Sequence, residues 1–253
     1  MIQILISAIL LVLFVAAILS IVVMFLSFTL KAYAEGRTFQ PMLKTGKPRN
    51  WVLKKRQNIL DTSDPNVREQ IRAISEHMKG EYEKNKKISY EKLTSIAPNI
   101  VSAFETDGRF VKYVANSIQG VDKLHLSAMD RDRMFLRLYT DSTDFVNWHY
   151  DNNFSSGRRF TAIIPIKIES GNTSMLQYMD NQTHEVVDVD CDISTMYIFE
   201  GDNLFHRVTP QSDDANCDRI VLIIPLYEKE ERMLKHKMGI FARDIVNRFN
   251  LLD

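Results

Sequence analysis

Apolar and polar residues follow three different patterns along this chain, and each pattern predicts a different kind of structure. The first is an almost unbroken apolar run, because residues 1–30 carry no charged side chain and only Gln3, three serines and one threonine as polar residues. A membrane-spanning helix needs about 20 such residues, so the run predicts a transmembrane anchor. Ala32–Ala34 resembles a cleavage site, but the run is too long for a signal peptide and has no basic segment before it.

The segment that follows the apolar run is polar and basic. Residues 31–62 contain Pro41 and Pro48 and no apolar period, which predicts a linker. Up to position 56 its only acidic residue is Glu35, against eight basic ones: Lys31, Arg37, Lys44, Lys47, Arg49, Lys54, Lys55 and Arg56. Basic residues flank membrane spans on the cytosolic side. We therefore expect a single-pass membrane protein whose C-terminal domain lies in the cytosol.

Helical spacing of apolar residues marks the next part of the chain, residues 63–119. Asp64 is suited to cap a helix and Pro65 to begin its first turn. Three apolar residues follow on one face: Ile71, Ile74 and Met78. A second helical stretch is predicted over Pro98–Ile118, with an interruption at Gly108. These helices are expected to pack against the rest of the domain.

The third pattern, over residues 120–227, consists of short β-rich runs separated by turn residues, such as RMFLRLYT, RFTAIIPIKI and RIVLIIPLY. Seven or eight such strands within about 110 residues predict a sandwich or jelly roll with the helices on its outer face. Residues 228–253 return to helical spacing and predict a docked C-terminal helix. The predicted fold class is α+β, mainly β, with an N-terminal transmembrane helix.

Composition narrows the classes of function. The chain has 253 residues, 45% of them hydrophobic, and a formal net charge of zero. It is long enough to bury a core, and its neutrality argues against a general attraction to nucleic acid or acidic surfaces. Cys191 and Cys217 fit neither the spacing of a CxxC metal site nor a disulfide-rich secreted scaffold. They are interpreted as ordinary thiols.

Three residues have the chemistry of a metal site. His149 and Asp151 lie two positions apart, so their side chains point to the same side of an extended segment, and His206 follows a later strand. Two imidazoles and one carboxylate can hold one face of an octahedral Fe(II) and leave three positions free. An isolated His-x-Asp is more often a surface hydrogen-bonding pair, and four histidines lack such companions: His77, His125, His184 and His236.

Three segments carry the resemblance to a known family: RLYTDSTDFVNWHYD, GRRFTAIIPI, and the HRV at His206 with an arginine thirteen residues after that histidine. Over about residues 135–226 the chain resembles the Fe(II)- and 2-oxoglutarate-dependent oxygenases, most closely their prolyl-hydroxylase-like branch. The resemblance implies a double-stranded β-helix (jelly roll) with His149, Asp151 and His206 as metal ligands. It also implies that Arg219 binds the far carboxylate of 2-oxoglutarate.

Two further residues follow from the resemblance. Tyr139 corresponds to a tyrosine that lines the cosubstrate pocket. The family often has a hydroxyl residue at the position that Pro165 occupies here, and Thr161 is the candidate substitute. The implied cofactors are Fe(II), 2-oxoglutarate as cosubstrate and ascorbate as a further candidate.

The implied activity is hydroxylation of a substrate with release of succinate and carbon dioxide by an oxygenase domain at residues 63–253, anchored through residues 1–30. Two alternatives remain open: a catalytically inactive binding module on the membrane, and a cupin-like protein that uses the same ligands for another metal. The resemblance favours a protein side chain as substrate, and a lipid, a small metabolite or a nucleobase is also compatible.

Overall fold

The computed structural model describes Leu19 and residues 51–56, 59–80, 87–126, 133–151, 153, 155, 157–180, 182–193, 195–212 and 217–229. Apart from Leu19, they belong to one compact unit, Leu43–Glu231. No helix within these ranges is long and apolar enough to cross a membrane. The predicted anchor, except for Leu19, and the predicted C-terminal helix beyond residue 229 lie outside the described residues.

The helices form where the apolar spacing predicted them, with one addition. They are α1 Pro65–Gly80, α2 Tyr90–Ile96, α3 Pro98–Glu105 and α4 Arg109–Ser117, with a 3-10 turn at Thr106–Gly108 between the last two. The predicted cap is confirmed, because Asp64 Oδ1 accepts a hydrogen bond from the backbone N–H of Asn66 at 2.7 Å. The predicted break is confirmed at Gly108, whose φ of 62° is left-handed and favours glycine. The apolar spacing of the sequence did not predict α2.

The described residues contain eleven strands in two antiparallel sheets. They are β1 Leu53–Arg56, β2 Lys87–Ile88, β3 His125–Leu126, β4 Phe135–Tyr139, β5 Val146–His149, β6 Arg159–Ile168, β7 Leu176–Met179, β8 Val186–Val189, β9 Thr195–Phe199, β10 His206–Val208 and β11 Arg219–Tyr227. The larger sheet has the order β1-β9-β6-β11-β4-β2, with β3 paired to β11, and the smaller has the order β5-β10-β7-β8. Two antiparallel sheets with packing helices fit the predicted jelly roll.

The larger sheet is buried on both faces, and β11 shows how. Ile220 and Leu222 belong to a core that includes residues of all four helices, whereas Val221 belongs to a second core shared with the smaller sheet. Alternate residues of a strand point to opposite faces, so Arg219 and Ile223 share the face of Val221. We call the space between the two sheets the interior.

The predicted linker is wrong over its last part. Leu53–Arg56 forms the edge strand β1 and pairs antiparallel with Thr195–Ile198 of β9. The Tyr113 hydroxyl of α4 also donates a hydrogen bond to the carbonyl of Arg56. Edge pairing is made by backbone groups, so a polar run such as LKKR can join a sheet without an apolar alternation.

Candidate metal centre

Strand pairing brings the two predicted histidine ligands together. His149 ends β5 and His206 begins β10, and the two residues are directly opposite each other in the antiparallel pair β5-β10. Their ring centroids are 4.3 Å apart. Directly opposed residues of a ladder have their side chains on the same face of the sheet. The register of this one pair of strands therefore brings together two residues that are far apart in sequence.

The third predicted ligand lies beyond the end of β5. The backbone N–H of Asp151 donates to the carbonyl of Gly201 at 2.8 Å, which ties the segment after β5 to the turn after β9. Asp151 Oδ1 is 3.8 Å from His149 Nε2. One ligand atom from each of His149, Asp151 and His206 lies within 4.8 Å of the other two. Among the described residues this is a set of side chains that could hold a metal ion.

Both imidazoles are held in the state that a metal ion requires. The ring Nδ1 of His149 lies 2.7 Å from the carbonyl of Asn147, and that of His206 lies 2.9 Å from the carbonyl of Leu204. A carbonyl only accepts, so each Nδ1 carries the proton and each Nε2 keeps a free lone pair. Burial lowers the pKa of His149 and lowers that of His206 further still. Both rings are therefore neutral near neutral pH.

The second oxygen of Asp151 is held by two side chains of β6. The Thr161 hydroxyl donates a hydrogen bond to Asp151 Oδ2, and Arg159 Nη1 lies 2.7 Å from the same oxygen. Gly201 leaves room for this arrangement, because a Cβ there would lie 2.0 Å from Asp151 Oδ2. Oδ1 is thus directed toward the histidines. The predicted contact of Thr161 with the cosubstrate stays a prediction. In this structure the Thr161 hydroxyl donates its hydrogen bond to Asp151.

Arg219 lies in the interior at the start of β11, the strand that pairs with β6, and it is 2% exposed. Its Nη1 donates to the carbonyl of Ser174 at 2.8 Å, while its Nε has no hydrogen-bond partner among the described residues. Tyr139 is directly opposite it on β4, with its ring centroid 5.7 Å from the guanidinium carbon. Burial raises the pKa of Tyr139, so its phenol stays protonated at neutral pH. Two of the three residues predicted for the cosubstrate, Arg219 and Tyr139, are therefore neighbours.

Arg207 lies on the opposite face of the smaller sheet. Its Nε donates to Gln177 Oε1 at 2.7 Å, and its guanidinium lies 4.7 Å from the ring centroid of Trp148. Trp148 in turn stacks on Phe205. Arg207 and His206 are adjacent in an extended strand, so their side chains point in opposite directions. Of the two arginines near His206 in sequence, only Arg219 faces the interior.

Two residues that contact or make room for Asp151, Arg159 and Gly201, were not predicted from the sequence. Arg159 lies two residues before Thr161 on the same strand, so a strand alternation that directs Thr161 inward directs Arg159 inward as well. Gly201 carries no comparable signal, since its role depends on the pairing of β6 with β9. Its N–H donates to the carbonyl of Arg159 at 3.1 Å.

Comparisons with known proteins give structural matches alone. No protein-family model matches the sequence, and no curated protein matches it. AviO1 from Streptomyces viridochromogenes Tue57 is 13% identical, with a TM-score of 0.50 over 71% of this chain and 90% of that one. EctD from S. alaskensis, solved with 2-oxoglutarate and 5-hydroxyectoine, is 11% identical over 73% and 78% of the chains, with a TM-score of 0.49.

A Pseudomonas putida prolyl-4-hydroxylase is 12% identical, with a TM-score of 0.45 over 76% of this chain and 99% of that one. Active-site chemistry differs widely among proteins of one fold. At 13% identity, the likeness to AviO1 shows that the two chains share a fold.

Proposed function

We propose that this chain is an Fe(II)- and 2-oxoglutarate-dependent oxygenase that hydroxylates its substrate. The observation that carries the proposal is the convergence of His149, Asp151 and His206, whose ligand atoms lie within 4.8 Å of one another. Two neutral imidazoles and one carboxylate suit Fe(II), and three protein ligands leave coordination positions for other molecules. The hydrogen bonds to both Nδ1 atoms and to Asp151 Oδ2 orient the three ligands before metal binds.

Arg219 fits the far carboxylate of 2-oxoglutarate. A guanidinium cannot lose its proton in a protein, and its planar edge matches a carboxylate. The buried Nε of Arg219 has no acceptor among the described residues, and a buried donor without an acceptor is costly. A carboxylate that enters the interior would satisfy it.

Bound iron, 2-oxoglutarate and dioxygen would together supply the oxidising chemistry, in which one oxygen atom enters the substrate and the other enters the succinate that is released with carbon dioxide. The side chains of the interior orient these groups and limit the access of water. His206 and Arg219 are both nearly fully buried, and Phe199 and Val221 are buried apolar residues of the same interior core. The side chains of His149 and Asp151 are 28% and 16% exposed, so substrate would enter from their side.

The test is a metal titration followed by a turnover assay with the full chain, purified without metal. We expect about one Fe(II), or Mn(II) in its place, per chain, and loss of binding when His149, Asp151 or His206 is replaced by alanine. His184→Asn is the matched control, because asparagine tolerates the φ of 60° at this position. Stoichiometric binding in all three alanine variants would exclude this metal centre.

The turnover assay separates the proposal from its alternatives. Loaded with Fe(II) and supplied with dioxygen and ascorbate, the chain should convert 2-oxoglutarate to succinate and carbon dioxide even without its primary substrate. Metal binding without 2-oxoglutarate binding would favour a cupin-like protein, and binding of both without succinate would favour an inactive binding module.

We also propose that residues 1–30 anchor this domain in a membrane with the domain in the cytosol. The apolar run and the basic flank after it support the anchor and its orientation. Protease added to the cytosolic face of sealed membranes should then digest residues 31–253. Full protection of the domain, or a mature chain that begins near Glu35, would contradict the proposal.

A further inference from the structure

Arg159 is a buried cation at the start of β6, and it contacts the predicted metal ligand Asp151. Its side chain is 9% exposed, and its Nη1 lies 2.7 Å from Asp151 Oδ2. Arg158, its neighbour in sequence, pairs instead with Glu228, with 2.9 Å between Nη2 and Oε1. Metal binding and the proposed binding of 2-oxoglutarate do not by themselves call for a second buried arginine. Any effect of Arg159 on the metal is therefore expected to pass through Asp151.

Two donors occupy one oxygen of the Asp151 carboxylate. A carboxylate oxygen offers about two lone pairs. At Oδ2, one donor is the guanidinium of Arg159 and the other is the hydroxyl of Thr161, at 2.5 Å. The other oxygen, Oδ1, lies 3.8 Å from His149 Nε2. The carboxylate therefore directs one oxygen toward the histidines and the other toward the two donors of β6.

The backbone of Gly201 holds Arg159 and Asp151 in this arrangement. The N–H of Gly201 donates to the carbonyl of Arg159 at 3.1 Å, and the carbonyl of Gly201 accepts from the N–H of Asp151 at 2.8 Å. A single residue thus connects the start of β6, in the larger sheet, with the ligand that follows β5, in the smaller sheet. The guanidinium and the carboxylate are brought together by these backbone contacts and do not depend on the metal.

The way in which this carboxylate binds decides how many positions on the metal stay open. A carboxylate can bind a metal ion through one oxygen or through both. With two imidazoles and one oxygen, an octahedral metal keeps three open positions, and a second oxygen would leave two. The proposed reaction needs all three, because 2-oxoglutarate chelates through two atoms and dioxygen takes another position. This step rests on the proposed function.

We propose that Arg159 is a positioning residue that restricts Asp151 to binding through one oxygen and so keeps the third position of the metal open. To bind through Oδ2 as well, the carboxylate would have to leave the charge-assisted contact with Arg159. The buried guanidinium would then lose its counter-charge, which is costly, and it cannot relieve that cost by losing its proton.

The test counts the water molecules on Mn(II) bound to the full chain, without 2-oxoglutarate and without turnover. Water enriched in ¹⁷O broadens the electron paramagnetic resonance lines of Mn(II) in proportion to the number of its water ligands. We expect about three water ligands in wild type and about two in Arg159→Met, because Oδ2 then becomes available to the metal.

Two variants control this count. Arg159→Lys keeps a charged donor for Oδ2 and should restore the wild-type number of water ligands. Arg158→Met removes the same charge from the adjacent residue, which pairs with Glu228, and should leave the number unchanged. If Arg159→Met does not fold, Arg159→Gln takes its place, since glutamine keeps much of the length without the charge. The wild-type count tests the inference without any variant.

Four results would overturn the inference. Two are counts at odds with one-oxygen binding: about two water ligands in wild type, or about three in Arg159→Met. The third is an equal loss of water in Arg158→Met. The fourth is a folded Arg159→Met chain that no longer binds Mn(II), because Arg159 would then support the affinity for the metal and not the mode of binding.

The same titration separates this inference from the proposed function. If the wild-type chain does not bind Mn(II), the proposed function fails. If wild type binds Mn(II) and loses it when His149 or His206 is replaced by alanine, but the water count is the same with and without Arg159, only the inference about Arg159 fails.

Discussion

Replacing Gly201 with alanine tests whether the position of one carboxylate controls metal binding. The new Cβ would lie 2.0 Å from Asp151 Oδ2, 2.9 Å from Asp151 Cγ and 2.6 Å from Thr161 Oγ1. Real Cβ atoms do not come within 3.0 Å of other atoms, so the carboxylate has to move by about 1 Å. Metal–ligand distances tolerate only about 0.2 Å. Asp151 therefore cannot remain a ligand in the same geometry.

We expect the Gly201→Ala variant to bind Mn(II) about 100-fold more weakly than wild type, the upper range for loss of a supporting contact around a metal. Free Mn(II) can be measured by electron paramagnetic resonance while metal-free protein is titrated. Thermal unfolding of the same metal-free sample reports the stability. It should change little, because the backbone φ at position 201 is not in the left-handed region and the carboxylate can swing away.

Gly108→Ala is the matched control for Gly201→Ala. Gly108 has a φ of 62°, and no atom of the described residues lies within 4 Å of its Cβ position. Alanine there should cost about 1 kcal/mol of folding free energy through backbone strain and leave the affinity for Mn(II) unchanged. A Gly201→Ala variant that binds Mn(II) within about threefold of wild type would refute the placement of Asp151 as a ligand.

Three further predictions concern the cosubstrate, an ion pair and the core. Arg219→Ala should raise the 2-oxoglutarate concentration for half-maximal succinate formation by about 100-fold or more, since breaking a buried charge pair costs about 3–5 kcal/mol. Arg219→Lys should recover part of this affinity for 2-oxoglutarate. A larger loss of affinity in Arg207→Ala than in Arg219→Ala would show that Arg207 binds the carboxylate instead. Arg158 lowers the pKa of Glu228, so the ionised carboxylate stabilises the fold at a pH above its unfolded pKa and this stability is lost as the pH falls. Glu228→Gln should lower the free energy of unfolding in urea by about 1 kcal/mol at about pH 7 and by less at about pH 3. An equal loss at both pH values would contradict the ion pair between Arg158 and Glu228. Phe110→Ala removes a fully buried ring and should cost about 3–5 kcal/mol; a cost below about 1 kcal/mol would show that the core closes over the cavity.

The elements that sequence reasoning identified are those with strong local signals. The helix at Pro65–Gly80 has a cap, a proline in its first turn and apolar residues at helical spacing, and all three act within a few residues. The long strands Arg159–Ile168 and Arg219–Tyr227 are apolar because both of their faces are buried. By contrast, Leu53–Arg56 is a polar edge strand, and only its backbone pairing with β9 identifies it.

The proposed metal site shows the same division between local signals and tertiary contacts. The types of residue and their order along the chain predicted His149, Asp151 and His206 as metal ligands, because chemistry limits which side chains bind Fe(II). The parts that support them depend on contacts across the two sheets: Arg159 reaches Asp151, and a missing Cβ at Gly201 makes room for the carboxylate. A local sequence pattern records backbone preference and burial, which act over a few residues. Which residues meet across strands depends on the register of every pair in the sheet, and that register is set by packing of the whole core.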